Sequence, residues 1–243
     1  MDTFTLLNEI VSYCQTHADE VIVKKYARYF KDGQEGYNAY GLSTELIQAK
    51  LKELNSDETM TIGLLMETAP ALLRSGKQEE TFFVLLLVEK RLKKLTAEHF
   101  DEISRWFEYG ITNWAQCDTL CAKIIPWFFI QKLVPLSRLK TWYTSSFRFQ
   151  RRAIAVPLIK LLKTTNDYTP IFDLITPIML DPERVVHQGL GWLLREAWKK
   201  QPDQTEKFLL LWKDKSARLI FQYATEKMSE EKRLCFKREK NKD

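Results

Sequence analysis

The chain has 243 residues, 45% of them hydrophobic, which is enough to bury a full-sized core without covalent staples. Four cysteines (Cys14, Cys117, Cys121 and Cys235), with no CxxC pair and no histidine at ligand spacing, argue against a disulfide framework and a zinc site. A net charge of +5, from 37 Lys and Arg against 32 Asp and Glu, permits an anionic partner without demanding one.

The first twenty residues, MDTFTLLNEIVSYCQTHADE, lack a basic leader and an uninterrupted apolar stretch, and no run approaches the ~18–20 apolar residues of a membrane span. The expectation is a cytoplasmic protein with no membrane partner. Strands are hard to place, because β-branched and aromatic residues nowhere alternate cleanly with polar ones. Helical periodicity instead predicts segments at 3–17, 19–31, 43–54, 57–74, 78–94, 98–110, 113–130, 136–144, 148–163, 169–179, 182–199, 203–212 and 215–224. From residue 57 onward these fall into pairs beginning near 57, 98, 136, 169 and 203, a spacing that belongs to helical-repeat solenoids. The predicted fold is all-α, a HEAT-like α-α superhelix with a concave basic face. One repeat domain would span 1–236, with 1–55 as an N-terminal cap and 56–225 as stacked helix pairs. The Lys31–Gly41 loop joins the cap to the rest, and 237–243 forms a basic tail. The whole C-terminal segment EEKRLCFKREKNKD reads as frayed and solvated.

Within that frame the stretch Asn113-Trp114-Ala115-Gln116 has the form of a capping box, so a helix starts at Trp114. Trp114, Asp118, Cys121 and Ile125 then share one face. Cys117 and Cys121, at i and i+4, read as small apolar side chains. Asp118 sits at the edge of an apolar stripe, where an unpaired carboxylate would cost several kcal/mol if buried. It is therefore either ion-paired, with Arg151, Arg152 or Arg195 as candidates, or it faces a cleft that a ligand enters.

Further on, Arg148, Arg151 and Arg152 interleave with Phe147 and Phe149 at a helix start, a pattern that suits phosphate oxygens and also suits a solvated helix face. In Leu180-Asp181-Pro182-Glu183, Asp181 can cap a helix with Pro182 in its first position. In Gly189-Leu190-Gly191-Trp192, the two glycines would leave open space around Trp192, although a Trp on a repeat helix is commonly core.

Taken in order and at these separations, Trp114-x-x-x-Asp118, Arg151-Arg152-Ala153-Ile154 and Leu190-Gly191-Trp192-x-Leu194-Arg195-Glu196 resemble the DNA alkylation repair glycosylases of the AlkD type. The resemblance runs from about residue 20 to residue 236. It implies a monofunctional glycosylase that hydrolyses the N-glycosidic bond of N3-methyladenine and N7-methylguanine in duplex DNA without flipping the base; a nucleoid-associated place in the cytoplasm goes with that reading, and a monomer is the default, since the sequence gives no sign of an oligomer. On the matching positions, Asp118 would be the catalytic carboxylate, Trp114 and Trp192 the aromatics against the deoxyribose, and Arg148, Arg151 and Arg152 the backbone ligands. The resemblance implies no metal and no cofactor. Departures from the family pattern stand at Asn113 and Ala115–Cys117, where members often read Trp-Trp-Asp-x-Val-Asp, and in the loop ending Tyr37-Asn38-Ala39-Tyr40-Gly41-Leu42. Two alternatives are a non-catalytic DNA-binding paralogue and a HEAT-like scaffold that binds a peptide.

Overall fold

The structure, a computed structural model, describes residues 1–30 and 36–238. The part of the expected loop at 31–35 and the tail residues 239–243 lie outside the described residues. Every regular element among the described residues is helical. The chain packs as two compact units, Met1–Val134 and Pro135–Asp243.

The first unit contains α1 (Thr3–Thr16), α2 (Glu20–Ala27), α3 (Thr44–Ser56), α4 (Ile62–Arg74), α5 (Gln78–Glu89), α6 (Ala97–Tyr109), α7 (Trp114–Lys123) and α8 (Ile125–Ile130). Helix α1 shows how the sequence sets a face: Asp2 caps it by accepting from the Thr5 amide at 2.8 Å, and Leu6, Ile10 and Cys14, one turn apart, are fully buried. The helices form two layers. In one, α5 packs against both α3 and α7; in the other, α4 packs against α6, which in turn meets α8; α4 and α5 join the layers. Helix α5 is central to the unit and accordingly lacks a solvated face at its start, where even Glu79 and Glu80 are buried.

In the second unit are α9 (Arg148–Ala155), α10 (Leu158–Leu161), α11 (Thr169–Ile175), α12 (Arg184–Trp198), α13 (Pro202–Trp212), α14 (Arg218–Ala224) and α15 (Glu230–Leu234). Here α12 is the central helix, packed on α9 on one side and α14 on the other, with Val186, Leu190, Leu193 and Leu194 fully buried. The repeated contact between the second helices of successive pairs is the stacking expected of a helical-repeat fold.

The predicted segments sit where helices form, with corrections at prolines and at the C-terminus. The single helix expected over 113–130 breaks at Ile124, because Pro126 has no amide to donate and its ring crowds the preceding turn. Pro157 divides 148–163 in the same way, and Pro177 turns the end of 169–179 into a 3-10 turn, Thr176–Ile178. The segment from 230, expected to fray, is instead folded as far as residue 238. Ser229 caps α15, Phe236 is 1% exposed, and Arg218 donates to the Phe236 carbonyl at 2.7 Å. One large aromatic side chain and two guanidinium contacts, the second from Arg238 to the Ser216 carbonyl, hold it down.

Candidate functional site

The start of α7 is fixed by buried amide side chains. Asn113 Oδ1 accepts from the Gln116 amide at 3.0 Å, as a cap should, while Asn113 Nδ2 donates to Gln78 Oε1 at 2.8 Å. Gln116 reaches back one residue further than a capping box requires, accepting from the Thr112 amide at 3.0 Å, and its Nε2 donates to Thr81 Oγ1 at 3.3 Å. Asn113 and Gln116 are 1% and 0% exposed, so these bonds form in a low-dielectric interior where each counts for more. They tie the first turn of α7 to α5 and thereby set the direction in which Trp114 leaves the helix.

Trp114 is 37% exposed and stacks on Phe30, with ring centroids 5.3 Å apart and planes within 20°. Phe30 in turn stacks on Tyr37 at 4.6 Å and 18°, so three nearly parallel rings form a ladder. Ladder geometry of this kind adds to simple burial and holds the indole in one orientation. The rings wall a cavity of about 460 Å³ that Tyr26, Tyr29 and Phe82 also line. Asp118 follows Trp114 by one turn and is partly exposed. Cys117 and Cys121 are fully buried, which agrees with reading them as small apolar side chains.

A carboxylate anchors the chain beside that cavity. Glu79, 4% exposed, accepts from the amides of Tyr40, Gly41 and Leu42 at 2.9, 2.7 and 3.1 Å. Gly41 has φ +88°, and a side chain there would meet the Asp19 carbonyl at 2.1 Å, so only glycine fits the bend. Glu80 accepts from the Tyr40 hydroxyl at 2.7 Å. Burial, with the Glu79 charge behind it, pushes the Tyr37 hydroxyl up to about 12. The Cys14 thiol is likewise pushed up to about 12 by burial and then by the charges of Glu79 and Glu80, which marks it as an inert core residue.

Trp192 and the three arginines belong to the second unit. Arg148 lies over the Phe149 ring, 5.4 Å from its centroid. Arg151, with a side chain 13% exposed, donates through Nε to Asp181 Oδ2 at 2.6 Å and through Nη2 to Oδ1 at 3.4 Å, and Nη1 donates to the Ser145 carbonyl at 2.6 Å. Arg152 is 5% exposed and donates to the Val185 carbonyl at 2.5 Å. Asp181 therefore does not cap α12 as expected. The N-cap is Glu183, whose amide Asp181 accepts at 2.9 Å from just outside the helix while its carboxylate holds Arg151.

The glycines beside Trp192 also serve a purpose other than the one expected. A Cβ on Gly189 would meet Arg152 Cγ at 3.1 Å, and one on Gly191 would meet Tyr223 Cβ at 2.4 Å and the Ile220 carbonyl at 2.8 Å. They are close-approach positions for α9 and α14, not open space. Trp192 itself is half-buried. Of the three arginines considered as partners for Asp118, Arg151 is engaged with Asp181 and Arg195 with Glu196 and Glu226.

Sequence reasoning overlooked Phe30 and Glu79, and named Tyr37 only as part of the loop that departs from the family pattern. The aromatic run Tyr26–Phe30 was a visible signal, but its convergence with Trp114 depends on the 3-10 turn Arg28–Phe30, after α2, meeting the start of α7 across the fold. Among the described residues no group of three or more His, Cys, Asp or Glu side chains could hold a metal ion, and no helix is long and apolar enough to cross a membrane.

Comparison with known proteins gives these features a family. The family model for DNA alkylation repair enzymes matches residues 12–228. Among solved structures, a predicted DNA alkylation repair enzyme from Enterococcus faecalis superposes with a TM-score of 0.69 at 16% identity, covering 88% of this chain and 98% of that one, a likeness of fold. No curated protein matches the chain. The chain belongs to the DNA alkylation repair enzyme family.

Proposed function

We propose that the chain is a monofunctional DNA glycosylase that hydrolyses the N-glycosidic bond of cationic alkylpurines, N3-methyladenine and N7-methylguanine, in duplex DNA, working as a monomer and leaving the base in the stack. The observation that carries this reading is an exposed indole, Trp114, locked by a ring ladder one helical turn before Asp118. As the C1′–N bond lengthens, positive charge develops on the sugar, and a fixed carboxylate stabilises charge that the ground state has not yet formed. The bonding pair leaves with the purine, whose alkylation has already supplied its positive charge, so no general acid is needed. Water adds at C1′, and Asp118 takes or directs its proton. Trp114 and Trp192 offer the negative faces of their rings to the cationic sugar, at roughly 0.5–2 kcal/mol each. Of the candidate backbone ligands Arg148, Arg151 and Arg152, the proposal keeps Arg148 on the phosphates, because Arg151 and Arg152 donate to internal acceptors.

The test is release of free base from duplex DNA carrying N7-methylguanine, with wild type and Asp118→Asn side by side. Removing one charge stabiliser should slow release by about 10²–10³-fold. A second reading, a helical-repeat scaffold that binds a peptide, is favoured by the internal engagement of Arg151 and Arg152, which takes two guanidinium groups away from phosphate. It would prevail if wild type neither bound the duplex nor released base.

A further inference from the structure

The face of α3 and α5 that lines the aromatic cavity continues beyond it into a second, open groove of about 790 Å³. On α5 the stripe is continuous, Phe82 lining the cavity and Leu86 and Glu89 the groove. Helix α7 lends Trp114 to the cavity and Lys123, nine residues on, to the groove. At ~1.5 Å per residue that is roughly 14 Å along the helix.

The groove is cationic where the cavity is aromatic. Lys52, Lys90, Arg91 and Lys123 line it against a single carboxylate, Glu89. Two of the cations are held in place: Lys123 Nζ lies 2.8 Å from both Glu89 oxygens, and Arg91 donates to the Met60 carbonyl and to Asn55 Oδ1, each at 2.6 Å. Lys52 and Lys90 are exposed, and among the described residues neither has an acidic side chain within ion-pair distance. Two cations fixed by internal contacts and two exposed ones without an acidic partner suit a chain of singly charged groups lying along the groove. The length from Trp114 corresponds to a few phosphates at ~3.4 Å of helix rise per strand step.

We propose that this groove is a phosphodiester-binding track for one DNA strand, continuing the contact beyond Trp114, with Lys52 and Lys90 as its phosphate ligands. The proposal rests on the DNA-repair reading of the Trp114 site, and it gives the first unit a backbone grip of its own.

The test uses the full chain and an undamaged duplex of about 20 base pairs, with binding followed by fluorescence anisotropy across salt concentrations. Lys52→Gln/Lys90→Gln should reduce the slope of log affinity against log salt by about 1.8, since each phosphate contact contributes ~0.9. A control of equal charge loss at exposed positions of α10 and its end, Lys160→Gln/Lys163→Gln, should change it by less than half as much. Glu89→Gln, which frees Lys123, should act in the opposite direction and tighten binding severalfold. An unchanged slope, a loss no larger than the control's, or a wild type that binds no DNA would overturn the proposal. Base release measured on the same samples separates the two readings. Salt-dependent binding through the groove without release sinks the glycosylase alone; release with an unchanged slope sinks the groove alone.

Discussion

Asp181→Ala tests whether Arg151 is held by the protein or held ready for DNA. The Arg151 and Asp181 side chains are 13% and 5% exposed and meet through two nitrogens, and the Ser145 carbonyl takes a third. Removing the carboxylate strands a guanidinium in an interior that solvates it poorly, a loss of about 3–5 kcal/mol for a buried pair broken from one side. For a chain of this length a change of 1 kcal/mol moves Tm by about 2–4 °C, so the midpoint should fall by about 6–20 °C. Thermal unfolding followed by circular dichroism reads this directly, and a cycle with Arg151→Ala isolates the pair. Arg151→Ala/Asp181→Ala should be less destabilised than the two single changes added together, by more than about 1 kcal/mol. DNA affinity gives the complementary measure, since an arginine satisfied by Asp181 should contribute less than one phosphate to the salt slope. Additive single changes, together with a slope that drops by a full contact in Arg151→Ala, would refute the assignment of Arg151 to the fold.

Gly191→Ala should lose about 1–3 kcal/mol to overpacking, less the ~1 kcal/mol that alanine gains in a helix, because its Cβ would press on Tyr223 and on the Ile220 backbone; a melting curve checks it. Gly63→Ala in α4, where the nearest atom to a new Cβ is 3.9 Å away, should instead raise stability by up to ~1 kcal/mol in the same assay. Asn113→Ala removes the cap of α7 and leaves Gln78 without its 2.8 Å donor, so it should cost about 1–3 kcal/mol and slow base release from N7-methylguanine DNA. Two groups should set how the fold responds to alkali. Burial opposes the charge on Lys50, but bonds to Glu53 and Glu9 outweigh it and hold the ammonium above its ordinary 10.5, while burial raises Tyr37 to about 12. Both contributions are fully present below the unfolded pKa values, ~10 to 10.4, and are lost as pH climbs through the folded ones. Lys50→Met and Tyr37→Phe should therefore each flatten the fall of Tm above about pH 10.

The helices and their pairing were legible because apolar spacing is a local property. Leu6, Ile10 and Cys14 announce the buried face of α1 in the chain itself, and α12 does the same through Val186, Leu190 and Leu193. Pro126 and Pro157 were equally visible, and the breaks they cause were readable in principle; the apolar run across each obscured them. Asp181 and Arg151 were each singled out, yet their pairing across thirty residues was not, because α9 and α12 must first be neighbours. The same holds for Gly191, whose spacing marks a special position without saying that Tyr223 occupies the space. At the candidate site, Trp114 and Asp118 stood out by their separation on one helix. Phe30, Tyr37 and Glu79 act only through contacts that the fold creates, and the aromatic run before the loop did not say what it would meet. Phe236 was the one available sign that the C-terminal segment docks, and the surrounding lysines and arginines masked it.

The Glu79 carboxylate replaces what a turn would otherwise supply, accepting three consecutive amides from Tyr40 to Leu42. A descendant that loses this acid leaves three amides without their acceptor at once, and Gly41 cannot take a side chain while the bend persists. The path into α3 and the position of the ring ladder should thus be inherited or discarded as one unit. On the proposed function, a change in lesion preference would then arise as an abrupt exchange of this whole segment, with the helix that bears Asp118 left untouched.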